Sequence, residues 1–151
     1  MSNIYLMCGC PAQGKSTWIK EHINNETDMC ISRDRIRFML VKEDEYYFSK
    51  EKEVLKLFKL NIKEALEHGY NVWVDATFLT EKARRWIFDI ASDYDVEVHA
   101  ISFHRPLETC LEWNENRHGR EYVPRSAIRR MWNQFEIPAK NEGFATITYI
   151  N

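Results

Sequence analysis

The sequence predicts an α/β domain, a mostly parallel five-stranded sheet sandwiched by helices. Two observations predict it. Short apolar runs alternate with helix-period segments through the whole chain. A glycine-rich loop also joins the first apolar run to the first helix, the connection that turns a buried strand into a helix. A length of 151 residues suits one domain around one core, so residues 1–151 are read as a single unit. With 44% hydrophobic and 29% charged residues, well mixed, the chain is too apolar for disorder.

Each element follows in order. Ile4–Cys8 has almost no polar break, as in a strand covered on both faces. A helix then runs from Ser16 through Ile23 and stops at Asn24-Asn25. Met29–Ile31 forms a second strand, and Ser32 offers an N-cap oxygen to a helix entering at Arg33, with Ile36, Met39 and Leu40 as its buried stripe. Asp44–Phe48 reads as a connection, after which Ser49 caps a long helix reaching His68. Val54, Phe58, Ile62 and Leu66 recur every four residues on its inner face, widened by Leu55 and Ala65. Lys52, Lys56, Lys59 and Lys63 occupy a solvated face, and Gly69 ends the helix. Val72–Val74 is a third strand ending at Asp75, and Thr80 caps a helix to Tyr94. Val96–Phe103 is the fourth strand, Pro106 opens a helix to Glu115, Ile128–Phe135 suggests another, and Ala145–Ile150 is the fifth strand.

Several function classes drop out. No run approaches the roughly 18 apolar residues of a membrane span, and the N-terminus lacks the pattern of a signal peptide, so a cytoplasmic protein without membrane contact is expected. The net charge of −2 argues against coating nucleic acid by bulk electrostatics. Cys8, Cys10, Cys30 and Cys110 form no CxxC pair and have no histidine at zinc-finger spacing, so they are expected as small buried thiols. Asp93-Tyr94-Asp95 has the Asp-x-Asp form of haloacid-dehalogenase phosphatases but follows a helix instead of an apolar strand. His99 and His104 lack partner carboxylates and read as packing residues, and the five tryptophans as core or half-buried ballast.

Gly9-Cys10-Pro11-Ala12-Gln13-Gly14-Lys15-Ser16 matches G-x-x-x-x-G-K-[ST] in full, between an apolar strand and a helix. Backbone N–H groups of such a loop, with the positive end of the helix behind them, cradle a triphosphate. Lys15 would reach the β- and γ-phosphates, Ser16 would place its hydroxyl on Mg²⁺, and Thr17 could contact the α-phosphate. ATP and Mg²⁺ are therefore expected.

The acceptor side is read from Ser32-Arg33-Asp34-Arg35-Ile36-Arg37, which follows the second strand and so shares the carboxyl edge with the phosphate loop. A carboxylate among arginines stays ionised and can accept a hydroxyl proton; a helix-start Asp stabilised by the dipole is the alternative. Asp75, ending the third strand, can organise magnesium-bound water or a neighbouring arginine, or simply cap the next turn. Arg117-His118-Gly119-Arg120 lies between two helices, where a mobile lid could bring a guanidinium over the donor phosphates. Arg125, Arg129 and Arg130 read as surface charges.

With these residues in order, the chain resembles the 5′-kinase domain of the bacteriophage polynucleotide kinase family. The resemblance is carried by Gly9-Cys10-Pro11, Gly14-Lys15-Ser16-Thr17-Trp18, Arg33-Asp34 with Arg37, Asp44-Glu45-Tyr46, Thr77 with Arg84-Arg85, Asn114-x-x-Arg117, Val123-Pro124 and Arg130-Met131. It implies the P-loop kinase fold with a short arginine-bearing lid. It also implies that Asp34 is the general base toward a 5′-hydroxyl, that Arg37 contacts the acceptor's neighbouring phosphate, and that Arg117 is the lid arginine. Arg33, Asp75 and Thr77 join the acceptor set, and Gly9, Gly14 and Arg120 join Lys15, Ser16, Thr17 and Arg117 on the donor. The chain departs from the family pattern at Ala76, where an Asp directly precedes the Thr, at Phe78 in place of Asn, and at Trp113 in place of Arg. A C-terminal 3′-phosphatase domain, carried by well-known members, is not expected.

The sequence thus reads as an ATP- and Mg²⁺-dependent polynucleotide 5′-hydroxyl kinase acting on DNA or RNA ends in end repair. A kinase of a nucleoside or other small alcohol, and a non-catalytic P-loop nucleotide switch, are the alternatives. An acceptor carboxylate beside the phosphate loop speaks against the switch, which needs none.

Overall fold

A computed structural model describes residues 2–151. The chain runs β1 (Asn3–Cys8), α1 (Lys15–His22), β2 (Asp28–Ser32), α2 (Arg33–Leu40), α3 (Glu51–Glu67), β3 (Asn71–Asp75), α4 (Glu81–Tyr94), β4 (Glu97–Phe103), α5 (Leu107–Asn114), α6 (Arg125–Gln134) and β5 (Thr146–Ile150). The five strands form one sheet in the order β2-β3-β1-β4-β5, and every neighbouring pair is parallel. Central β1 buries Ile4, Leu6, Met7 and Cys8, which is why its sequence shows no alternation, whereas edge strand β5 keeps Thr146, Thr148 and Tyr149 exposed.

The helices follow their periodicity closely, and the departures have physical causes. α3 buries Val54, Phe58, Ile62, Ala65 and Leu66 as expected. It is capped at Lys50 without a side-chain bond, not at Ser49, because Glu51 in its first turn is drawn to arginines of α2. α2 has its expected cap, with Ser32 Oγ accepting from the Arg35 N–H. Met39, expected inside, is 72% exposed: an eight-residue helix buries one narrow stripe, and Arg37 occupies it with Ile36. α6 begins three residues before Ile128 because Pro124 stands at its N-terminus, where a missing N–H costs nothing. Lys52, Lys56 and Lys63 are exposed, while Lys59 lays its ammonium 5.0 Å from the centre of the Trp86 ring. His99, on β4, bridges Asn3 of β1 and Thr146 of β5 and, contrary to expectation, has a carboxylate near it, Glu97 at 4.0 Å, while His104 lies just beyond β4. Trp73 is buried and Trp18 and Trp86 are half-buried, but Trp113 and Trp132 are about 40% exposed and are not ballast.

One buried ion pair organises the far side of β3. Arg84 on α4 is fully buried and makes two hydrogen bonds to Glu142, at 2.8 and 3.0 Å, and two more to the carbonyls of Phe78 and Glu136. Phe78 has φ +42°, a left-handed conformation that costs a side-chain-bearing residue roughly 1–3 kcal/mol unless its surroundings enforce it. The Arg84 bond to its carbonyl and the burial of its ring supply that enforcement.

Breaking this pair should be costly because the guanidinium would remain buried without its carboxylate. Glu142→Ala is expected to lower the unfolding free energy in urea by roughly 3–5 kcal/mol. A loss comparable to that of an exposed ion pair would show that Arg84 is balanced by its carbonyl contacts alone.

Candidate active site

Because the sheet is parallel, β1, β2, β3 and β4 all end at one edge, and the segments leaving them carry the candidate residues. After β1 the backbone passes through Gly9, whose φ is +154° and whose missing Cβ would stand 3.1 Å from the Cβ of Phe103. The loop closes at Gly14, which takes the left-handed conformation, φ +86°, at the N-cap of α1. The Gly9 N–H donates to the carbonyl of Thr77 at 2.9 Å, tying the loop to the segment after β3.

Lys15 is buried, and its ammonium folds back onto the loop, donating to the carbonyls of Gly9 at 2.7 Å and Cys10 at 2.8 Å. Burial pulls its pKa down, the field of Asp75 opposes that, and Arg117 and Asp34 act with smaller opposing effects. Ser16 donates its hydroxyl to Asp75 Oδ2 at 2.9 Å. Asp75, expected among the acceptor contacts, thus stands beside the phosphate loop. The Ser16 and Asp75 oxygens are hard donors suited to Mg²⁺, which takes few protein ligands and completes its shell with phosphate and water.

Asp34 sits in the first turn of α2 with its side chain 63% exposed. Its Oδ1 accepts from Arg37 Nη1 and from the Tyr47 hydroxyl at 3.1 Å, while Oδ2 has no protein partner among the described residues. Burial and the Asp34 charge raise the Tyr47 pKa, so its phenol remains the donor. Arg37 itself is buried: Nε and Nη2 bind Glu51, and Nη1 binds Asp34 and Tyr47. Arg37, expected on an acceptor phosphate, is paired with two carboxylates in a 7% exposed position. Its position makes it a brace for Asp34.

Arg33 donates Nη2 to Glu51 at 3.1 Å and leaves a buried Nε without a partner. It lines a cleft of about 430 Å³ with Thr77, Thr80, Gln134 and Glu136, so Arg33 and Thr77 do meet in one concavity. Arg117 is half-buried beyond α5, bonded only weakly to the Glu121 carbonyl at 3.3 Å. Arg120, expected on the donor, contacts α2 in this structure. It binds the carbonyls of Phe38 and Val41 and stacks 4.5 Å from the Phe38 ring centre, since the carbonyl end of α2 attracts a cation.

Three contributors escaped the sequence reading. Arg105, just past β4, donates to the Gln13 carbonyl, takes the Gln13 side-chain oxygen on its N–H at 2.9 Å and stacks 5.0 Å from the Trp113 ring centre. Its position after a strand of the carboxyl edge was the available signal. Tyr47 and Glu51 gave none, because Tyr47 precedes α3, Glu51 opens it, and both join α2 only through the tertiary fold. The Cys10 and Cys110 sulfurs lie 3.8 Å apart as free thiols, and Cys8 is buried nearby.

A strand, glycine-rich loop and helix carrying Lys15 and Ser16 within this parallel sheet define a P-loop kinase fold. The AAA_33 family, described as an AAA domain, matches residues 4–138, and the chain belongs to that family. It is 29% identical over 142 residues to an L-seryl-tRNA(Sec) kinase of Methanococcus maripaludis, covering 89% of this chain and 53% of the relative. It is 24% identical over 147 residues to a bifunctional polynucleotide phosphatase/kinase of Schizosaccharomyces pombe, covering 95% of this chain and 32% of that protein. The chain thus spans from about a third to a half of these curated relatives. Its fold is similar to a chain of the Pnkp1/Rnl/Hen1 RNA repair complex, with a TM-score of 0.77, 23% identity, and 88% of this chain and 43% of that chain covered.

The Glu51 carboxyl has an acid-sensitive role. Burial opposes its charge, but the hydrogen bonds and positive charge of Arg37 and Arg33 outweigh this and hold its pKa below the ordinary 4.5. Its stabilising contribution is therefore complete above that value and is lost as pH falls through the lower folded value. Urea midpoints of wild type and Glu51→Gln, measured across about pH 3 to 6, should converge at the acid end. A gap that stays constant with pH would assign the effect to packing.

Proposed function

We propose that this protein is a polynucleotide kinase that transfers the γ-phosphate of ATP to the 5′-hydroxyl end of DNA or RNA, as a step in end repair. The observation that carries this reading is Asp34: an exposed carboxylate, braced through Oδ1 and free at Oδ2, in the helix that leaves β2 at the same sheet edge as the phosphate loop. A nucleotide switch has no use for it. Two relatives support a hydroxyl borne by nucleic acid, being by name a kinase of seryl-tRNA and a polynucleotide phosphatase/kinase.

In the proposed reaction the loop N–H groups, Lys15 and Thr17 hold the donor phosphates. Ser16 and Asp75 would hold Mg²⁺, which neutralises charge on the phosphates. The acceptor hydroxyl loses its proton to Asp34 Oδ2 as its oxygen bonds to the γ-phosphorus and the bond to the ADP oxygen breaks. Asp34 then releases the proton to solvent, to which it is open. Lys15 ammonium, freed from the loop carbonyls, and Arg117 meet the charge on the transferring group. Arg33 and Thr77, which share the cleft, receive the phosphate that follows the reacting nucleotide.

Incubation with labelled ATP and a panel of 5′-hydroxyl oligonucleotides, nucleoside 3′-monophosphates and free nucleosides tests the reading. Oligonucleotides and 3′-monophosphates should be phosphorylated and free nucleosides poorly; equal use of nucleosides would favour a small-alcohol kinase. Arg117→Ala should lower kcat more than it raises the KM for ATP, and Lys at this position should rescue only in part, because an ammonium cannot span two phosphate oxygens. A pure KM effect would make Arg117 a binding residue only.

A further inference from the structure

Tyr46, Tyr47 and Phe48 stand together immediately before α3 and outside the hydrophobic core. Tyr47 is the inner member. Its ring lies 4.7 Å from the Arg37 guanidinium carbon, and its hydroxyl is on Asp34 Oδ1. Phe48 packs edge-on against Tyr47, with centroids 4.8 Å apart and planes at 84°, and Tyr46 packs edge-on against Phe48 at 5.9 Å and 67°. The Arg37 guanidinium carbon also lies 5.6 Å from the Phe48 ring centre. Despite these contacts Phe48 is 50% exposed and Tyr46 is 72% exposed.

Large apolar rings left in water are ordinary when scattered singly. These two touch each other and connect through one side chain to Asp34. Phe48 is held on one side by Tyr47 and Arg37, so a planar ligand stacking on it would meet a ring already in contact with its neighbours. The exposed area is two rings wide, too small for a stable protein interface but matched to one heteroaromatic ring. The link to Asp34 is short in side chains: Tyr47 holds Asp34 Oδ1 by its hydroxyl and Phe48 by its ring.

We propose that Tyr46 and Phe48 form a stacking seat for the base of the nucleotide whose 5′-hydroxyl meets Asp34. The proposal rests on the polynucleotide-kinase reading and adds what that reading lacks, a contact to the terminal base. Because every base has a flat π-face, such a seat tolerates all of them and gives affinity without sequence preference. It is a binding contact, so its effect falls on KM for the acceptor and not on kcat.

The test compares two oligonucleotides of one sequence, one with an ordinary 5′-terminal nucleotide and one whose terminal sugar carries no base. With wild-type protein the base-free end should show a KM about tenfold higher, within the range measured for a single base stacked on an aromatic ring. Phe48→Ala and Tyr46→Ala should each shrink this ratio, and the double variant should bring it close to one. Trp132→Ala, which removes another exposed aromatic, on α6, should keep the full ratio. Thermal unfolding of all variants should match wild type, since the altered rings lie outside the core. Equal KM values for the two ends with wild-type protein, or a ratio that survives in the double variant, would overturn the seat while leaving the kinase reading intact. If the protein binds ATP but phosphorylates neither end, the kinase reading falls and the seat with it.

Discussion

Everything in this protein's chemistry depends on one constraint, that all five strands run parallel. Parallel pairing sends each strand's carboxyl end to the same edge and makes each following segment start there. Cys8, Ser32, Asp75 and Phe103 end their strands in this way, and the next few residues are the phosphate loop, Arg33-Asp34, Thr77 and Arg105. The register pairs Ser32 with Asp75 directly, so the cap of α2 and the carboxylate facing Ser16 are adjacent by hydrogen-bond geometry alone. Residues more than 60 positions apart meet because the sheet leaves them nowhere else to go.

Two buried guanidiniums then fix what the sheet has gathered, and they do so differently. Arg84 meets a buried carboxylate and two carbonyls, a closed set that shapes the loop bearing Thr77 and holds Phe78 in its left-handed turn. Arg37 meets one half-buried and one exposed carboxylate, an open set. Glu51 supplies the neutralising charge from α3, and this lets Asp34 be braced through one oxygen while the other faces solvent. A buried cation thereby orients an exposed carboxylate at modest desolvation cost, since only one of the two carboxylates leaves water.

The fold was legible because burial on two faces writes itself into β1 and period into α3, where Val54, Phe58, Ile62 and Leu66 all point inward. The phosphate loop was legible for a different reason: its geometry requires Gly9 and Gly14, and its chemistry requires Lys15 and Ser16. What the sequence hid depends on partners distant in the chain. Arg37 looked like a free cation because Glu51 carries no mark of pairing with it, and Met39 looked internal because Arg37 took the buried stripe. Arg120 looked like a lid residue from its neighbours Arg117 and Gly119, but the carbonyl end of α2, far away in sequence, holds it. Arg105 and Trp113 stack over Gly14 from two different elements, a contact that no local pattern records.

In the proposed reaction a donor site built on Lys15, Ser16 and Asp75 is separate from an acceptor base at Asp34. Asp34→Asn tests that separation most directly, with ATP affinity measured by calorimetry and turnover measured on a 5′-hydroxyl oligonucleotide using the same preparation. Asparagine keeps the Oδ1 that Arg37 and Tyr47 brace but cannot take a proton. The account predicts an unchanged ATP affinity with turnover lower by roughly 10²–10⁴, the usual worth of a general base. A collapse of ATP affinity, or turnover close to wild type, would contradict it.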